Sequence, residues 1–442
     1  MRRLPPILLL LLIACSSTPP PAVYAPRAVK VRTEEAPVGA GVRVLAPSGD
    51  VREGAIAISP ADPDVVVSAG IRHFGDAENM EVLIYRSLDG GRTWDTGRAL
   101  PRQLTSGRTV TGHFDPVLAA DRSGTFYATV IGLAPEKDWT VVVYRSTDRG
   151  ATWHGVDASK THAFVDKPWL AIDQSGGRYD GSLYLIWSAL SGGFRNYVAS
   201  SRDGGLTWSA PVAFRTQGSP MIGVGASGTV HVTHIGTSLQ AYELLRSTDG
   251  GATFEAARNI APFRQPSGQL VAMGPTLMHQ FAADVSSGAS RGHLYVVYPA
   301  DLDGRDAPAS VWFTRSTNDG LSWSEPVRLS TATAHAALPS VTVDPLSGDV
   351  VLAWLDCRDE PSSFRAKLFV TRSTDGGATL EAAAPLTSSF VTGTGIGDYN
   401  QIAAHGPRRL AMFSDGGSHL SVATISQSEV PAPVKRRRSA GQ

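Results

Sequence analysis

The chain has 442 residues, with 40 Lys and Arg against 40 Asp and Glu, so its formal net charge is zero. Without a basic face, nothing in that balance suggests a nucleic-acid partner. Two cysteines exclude a disulfide framework, and 45 Gly and 29 Pro without an amphipathic helical stretch indicate an all-β chain with many tight turns.

The first element is Met1-Arg2-Arg3 followed by an apolar run from Ile7 to Ala14 and then Cys15. A basic start, a short apolar stretch and a small residue before the cut define a secretory signal over 1–14. The run is shorter than the roughly 20 apolar residues that span a bilayer. Leu12-Ile13-Ala14-Cys15 resembles the bacterial lipobox. That resemblance implies cleavage before Cys15 and acylation of its thiol, which anchors a soluble domain through buried acyl chains. A plain signal peptide is the alternative. Ser16 and Ser17 follow, with no Asp, so the resemblance favours the outer membrane. Residues 15–40, rich in Pro and Ala, read as a tether.

Residues 41–428 carry an internal repeat. The octet Ser87-Leu88-Asp89-Gly90-Gly91-Arg92-Thr93-Trp94 returns at 146–153, 201–208, 247–254, 316–323 and 373–380. Each copy suits a self-closed turn. The Asp (Asp89, Asp148, Asp203, Asp249 and Asp375) and the hydroxyls bond nearby backbone. Gly permits positive φ, and the aromatic is an apolar plug. Copy five substitutes Asn318 for the Asp, and copy six substitutes Leu380 for the aromatic. The pattern Ser-x-Asp-x-Gly-x-Thr-Trp resembles the Asp box of sialidases and their relatives. These Asp residues are read as structural.

A strand precedes each box, as in Val82-Leu83-Ile84-Tyr85 and Val141-Val142-Val143-Tyr144, and two further strands precede that one. Three strands, a box and a fourth strand make one propeller blade. Inner strand pairs begin near Ala55, Val117, Trp169, Met221, Phe281, Val341 and Ile402. Seven blades are therefore favoured, with six, the sialidase number, as the alternative. The last pair has no box and no strand after Leu420–Thr424, so Val42-Arg43-Val44-Leu45 is expected to complete that blade and close the ring. Residues 429–442, with Lys435-Arg436-Arg437-Arg438, read as a basic solvated tail.

With strands lettered A to D from the axis outward, the boxes are C–D turns. The D–A and B–C loops then share the opposite end, where a ligand is expected. Entering strand A on that face are His113 and Asp115, Asp166 and Lys167, His279, and Asp398-Tyr399-Asn400. Leaving strand B are Arg72, Asp356, Arg358 and Asp301-Leu302-Asp303-Gly304-Arg305-Asp306. The resemblance to sialidases implies three Arg that grip a carboxylate, a Tyr nucleophile helped by a Glu, and an Asp acid. Arg72, Arg305, Arg358 and Tyr399 are the candidates. The family's Arg-Ile-Pro motif is absent, and Glu53, Glu78 and Glu360 are the candidate Glu residues, none assignable to Tyr399. The spaced carboxylates Asp301, Asp303 and Asp306 are the one calcium-like feature, without the terminal Glu of such loops. Cys357 is expected to be idle. The expectation is a monomeric, cell-envelope lipoprotein that needs no cofactor and binds a glycan or an envelope protein on its D–A/B–C face. The alternative is an exo-acting, sialidase-type glycosidase.

Overall fold

The computed structural model describes residues 24–25, 30–35, 42–46, 51–73, 76–135, 138–159, 164–189, 195–266, 278–304, 308–362, 365–388, 390–391, 396–414 and 419–425. The runs of β-branched and aromatic residues form strands, and the Gly-rich turns between them reverse the chain. Blade one runs Val51–Ile58, Val66–Arg72, Glu81–Ser87 and Arg98–Ala99, each strand antiparallel to the last. Five more sheets repeat the order over 112–157, 165–214, 217–262, 280–328 and 336–385.

The seventh sheet is built from Gln401–His405, Arg408–Ser414 and Leu420–Thr424. Its outermost strand is Val42–Ala46, antiparallel to Leu420–Thr424 with Val42 opposite Ala423. The N-terminal strand therefore closes the ring, as expected, and there are seven blades rather than six. Part of the segment read as a tether lies along the propeller. Tyr24–Ala25 runs parallel to Trp323–Ser324, and Lys30–Glu35 to Thr379–Ala382, beside the C–D connections of blades five and six. The signal segment, Cys15 and the basic tail lie outside the described residues.

The core is divided among the blade interfaces. Seven apolar clusters fill the seven contacts between neighbouring blades, the one joining blade seven to blade one included. The aromatic of each box enters the interface with the preceding blade. Trp153, Trp208 and Trp323 are buried there, and Leu380 fills the same place in blade six. Trp94 and Phe254 pack more loosely at the equivalent points. An eighth cluster lies on the axis, where Met221, Met278 and Tyr399 meet Trp169 and Phe281.

Polar side chains join blades as well. Gln280 of blade five donates to Asn400 O of blade seven (2.7 Å) and accepts from Ser340 of blade six (2.7 Å). Gln401 accepts from Ile56 N of blade one (3.0 Å) and donates to Leu118 O of blade two (3.1 Å). At the A–B rim Arg122 pairs with Asp180, Arg408 with Asp64, and the buried Arg409 with Asp349 at 2.8 Å.

Candidate functional site

The entry to strand A is irregular in the same place in five blades. The register with strand B slips between Arg52 and Ala55, Phe114 and Val117, Asp166 and Trp169, Gln217 and Met221, and Ala337 and Ser340. Such bulges re-aim a side chain and end the pairing. Within them Glu53, Asp115, Lys167, Gly218 and Leu338 have φ of 54°, 49°, 49°, 65° and 50°. For a non-glycine residue this conformation is strained by about 1–3 kcal/mol. Pro follows at Pro116, Pro168 and Pro339, where no N–H is needed for the ladder.

Three of these strained residues are charged, belong to consecutive blades and converge at the axis. Lys167 Nζ lies 3.2 Å from Asp115 and 3.7 Å from its neighbour Asp166, and it pairs with Asp398 from blade seven. Glu53 completes the group by hydrogen bonding to Asp115. Gly397 (φ 79°) is pressed against it, since a Cβ at that position would lie 2.4 Å from Glu53 Cγ. One oxygen of Glu53, Oε2, is buried without a partner. The Lys167 and Asp115 side chains are 8% and 10% exposed, whereas Asp166 keeps 34%. The cluster therefore opens to solvent chiefly through Asp166.

The environments push these carboxyls apart. Burial, then the charge of Asp115, holds Glu53 well above the usual carboxyl range. Burial acts the same way on Asp115. The Lys167 charge and hydrogen bonds from Glu53, Lys167 and Asp166 outweigh it and keep Asp115 below its ordinary value. Burial lifts Asp166 to about 6. Burial opposes the charge of Lys167, but the surrounding carboxylates hold its ammonium well above the usual range. One cation thus stands among four acids.

Tyr399 lies against this group. Its hydroxyl donates to Pro116 O at 2.8 Å, and its ring meets Trp169 edge-on at 6.0 Å. Burial, then the nearby Glu53, raises the hydroxyl well above the phenol range. The structure therefore places Asp115, Asp166, Lys167, Asp398 and Tyr399 together. It also places beside Tyr399 the Glu53 that sequence reasoning named without a partner. The signal for Glu53 was present: Arg52-Glu53-Gly54, Phe114-Asp115-Pro116 and Asp166-Lys167-Pro168 hold the same place before strand A.

The remaining candidates sit elsewhere. Arg72 is turned onto Glu81 of its own blade at 2.5 Å. Arg358 is held by Asp356 at 2.6 Å and lies over the Phe369 ring at 4.1 Å. Asp356 also accepts from Trp354 Nε1 at 2.9 Å. His113 is buried against the Tyr144 hydroxyl at 2.9 Å, and burial lowers it to about 4. His279 is buried against the Thr233 hydroxyl at 2.7 Å, and burial lowers it to about 3. Asn400 is buried, with Nδ2 unpartnered. Glu78 is exposed in a short 3₁₀ turn, and Glu360 pairs with Arg365 at 3.3 Å.

Asp301 is buried and Asp303 is paired with Arg328, while Arg305 and Asp306 lie outside the described residues. Among the described residues no group of three His, Cys, Asp or Glu is placed to hold a metal ion. Burial pushes the Cys357 thiol up to about 12, which keeps it a thiol.

The boxes are self-contained. Asp89 accepts from Ser87 Oγ (2.8 Å), Thr93 N (2.8 Å) and Thr93 Oγ1 (2.6 Å), and Gly91 N donates to Ser87 Oγ. The same bonds recur at Asp148, Asp203, Asp249 and Asp375. Asn318 reproduces them, its Nδ2 donating to Ser322 Oγ at 2.8 Å.

Residues 65–220 match the BNR repeat-like domain. Over 334 residues, 73% of its length, the chain is 24% identical to a xyloglucanase, Xgh74A, of Acetivibrio thermocellus, and it covers 31% of that protein. A second matching xyloglucanase, from a Paenibacillus species, is covered over 18% of its length. The chain thus spans less than a third of the curated relatives it matches. Among solved structures, a polysaccharide lyase, the PL25 ulvan lyase, is 12% identical with a TM-score of 0.51, over 86% of this chain and 94% of that one. A microbial sialidase, Hz136, is 16% identical with a TM-score of 0.46, over 83% and 74%. With its six boxes and seven closed blades the chain is a seven-bladed β-propeller, and part of it is similar to the BNR repeat-like domain.

Proposed function

We propose that this propeller is an envelope glycan-binding protein whose ligand meets the D–A/B–C end over the axial cluster. The observation that carries the reading is the convergence there of charged residues held in strained backbone in three consecutive blades. Strain of that kind gathers at functional sites. The relatives named xyloglucanase and ulvan lyase act on polysaccharides, which supports a glycan as the ligand class. Cys15, by its lipobox-like setting, is proposed as the acyl acceptor that places the domain at the outer membrane.

An exo-acting glycosidase is the second reading, favoured by neighbouring carboxyls whose environments push one up and the other down. Their spacing argues against it. Glu53 and Asp115 share a hydrogen bond, whereas glycosidase pairs stand about 5–5.5 Å or 6.5–9.5 Å apart. The committed hydroxyl of Tyr399 and the self-paired Arg72 and Arg358 argue in the same direction for sialidase chemistry.

The test uses the purified 41–428 domain on a glycan array and on fluorogenic sialosides and other aryl glycosides. Asp166→Ala is compared with the rim variant Arg98→Ala. Binding without turnover is expected, weakened about tenfold or more in Asp166→Ala, the usual scale of a lost charged hydrogen bond, and unchanged in Arg98→Ala. Turnover abolished by Asp166→Ala would make the protein an enzyme. Failure to bind any glycan would leave a protein partner on the same loops.

A further inference from the structure

We infer that the axial site accepts an uncharged sugar and rejects a carboxylated one. This rests on the glycan reading above and names its ligand class. The ammonium of Lys167 has three protons, and three carboxylates already face it, those of Asp115, Asp166 and Asp398. The ammonium hydrogen-bonds Asp115 and Asp398, has Asp166 3.7 Å away and sits on a side chain only 8% exposed, so its charge is already met and little of it faces a carboxylate arriving from solvent. Two arginines that would grip such a group are spent, Arg72 on Glu81 and Arg358 on Asp356.

What the cluster offers instead is acceptors. Asp166 and Asp398 keep 34% and 15% of their side-chain surface, and an ionised carboxylate accepts from hydroxyl groups. Sugar hydroxyls are donors of the right kind. The half-buried Trp169, set against Tyr399, adds an apolar flank for the C–H face of a sugar ring. A ligand carboxylate at the same place would face Asp166 and Asp398 with like charge, while the Lys167 ammonium beside them is already paired with Asp115 and Asp398, the arrangement by which interfaces reject wrong partners.

The test is isothermal titration of the 41–428 domain with matched sugars. Lactose is set against sialyllactose, and galactan oligomers against galacturonate oligomers. Wild type and Asp166→Asn are used, with a thermal melt to verify that the variant folds. The expected result is at least about tenfold tighter binding of the neutral member, with the gap narrowed in Asp166→Asn by improved binding of the acid. Equal or tighter binding of the carboxylated member by the wild type would overturn the inference while leaving the glycan reading intact. Should neither these sugars nor a wider array bind at all, the glycan reading itself falls, and this inference with it. The wild-type ratio decides the matter even if the variant does not fold.

Discussion

At the level of single residues, the Asp box is a device for closing a turn with one carboxylate. In Asp249 the Thr253 hydroxyl and N–H are the main cause holding the acid down to about 2. In Asp148 burial works the other way, yet Thr152 and Ser146 still keep it at about 2. Asp89, Asp203 and Asp375 are displaced in the same direction. Each is ionised in the fold at a pH where the unfolded chain, near its ordinary 3.8, takes up a proton. Their stabilisation is therefore complete above that value and is lost as pH falls through it toward about 2. The melting temperature is expected to drop over this acid window in scanning calorimetry. Box five uses Asn318 with the same bonds. Asp249→Asn should accordingly fold at neutral pH and show a shallower acid fall. An unchanged slope would remove the boxes from the account of acid stability.

At the level of the strand, ring closure depends on Val42–Ala46. This strand covers the open edge of Leu420–Thr424, and Ala46 joins the cluster between blades seven and one. An uncovered edge presents unpaired N–H and C=O groups and invites association with other chains. A chain beginning at Val51 is expected to melt lower by about 5 °C or more, on the scale of a few kcal/mol for a domain of this size, and to self-associate in ultracentrifugation. A truncated protein that melts as the full domain does and stays monomeric would show that six complete blades hold the seventh without its outer strand. The bulges at the entry to strand A are the second element-scale feature. A one-residue slip there turns Asp115 and Lys167 from ladder positions into residues aimed at the axis.

At the level of the molecule, the proposed anchor lies close in the chain to a strand held against the propeller. Nine residues after Cys15, the strand Tyr24–Ala25 runs beside Trp323–Ser324 of blade five. A fully extended link of that length spans about 30 Å. If Cys15 carries the acyl chains, blades five and six are the part of the ring held nearest the membrane. Full-length protein made in a bacterial host is expected in the membrane fraction and in the detergent phase of a Triton X-114 partition, while Cys15→Ser moves it to the aqueous phase. Identical partition of the two proteins would end the lipoprotein reading.

The octets, spaced along the chain, determine by themselves that this is a propeller, because each turn is closed by its own Asp, Ser and Thr. The alternation of strand and turn likewise determines seven inner pairs, and the lack of a fourth strand after Leu420–Thr424 points to the N-terminal strand that completes the last blade. These are local features, legible wherever a residue's partners lie within a few positions. The site is different. Asp115, Asp166, Lys167, Asp398 and Tyr399 are visible as polar residues at the right end of the ring, but so are Arg358, His113 and His279, which turn out to be held within their own packing. Glu53 and Asp398 stand more than three hundred positions apart in the chain, and closing the seventh blade on the first is what brings them to one axis. Only that closure, with the bulges that aim the side chains inward, decides which charges meet, which are neutralised and which carboxylate remains open to a ligand.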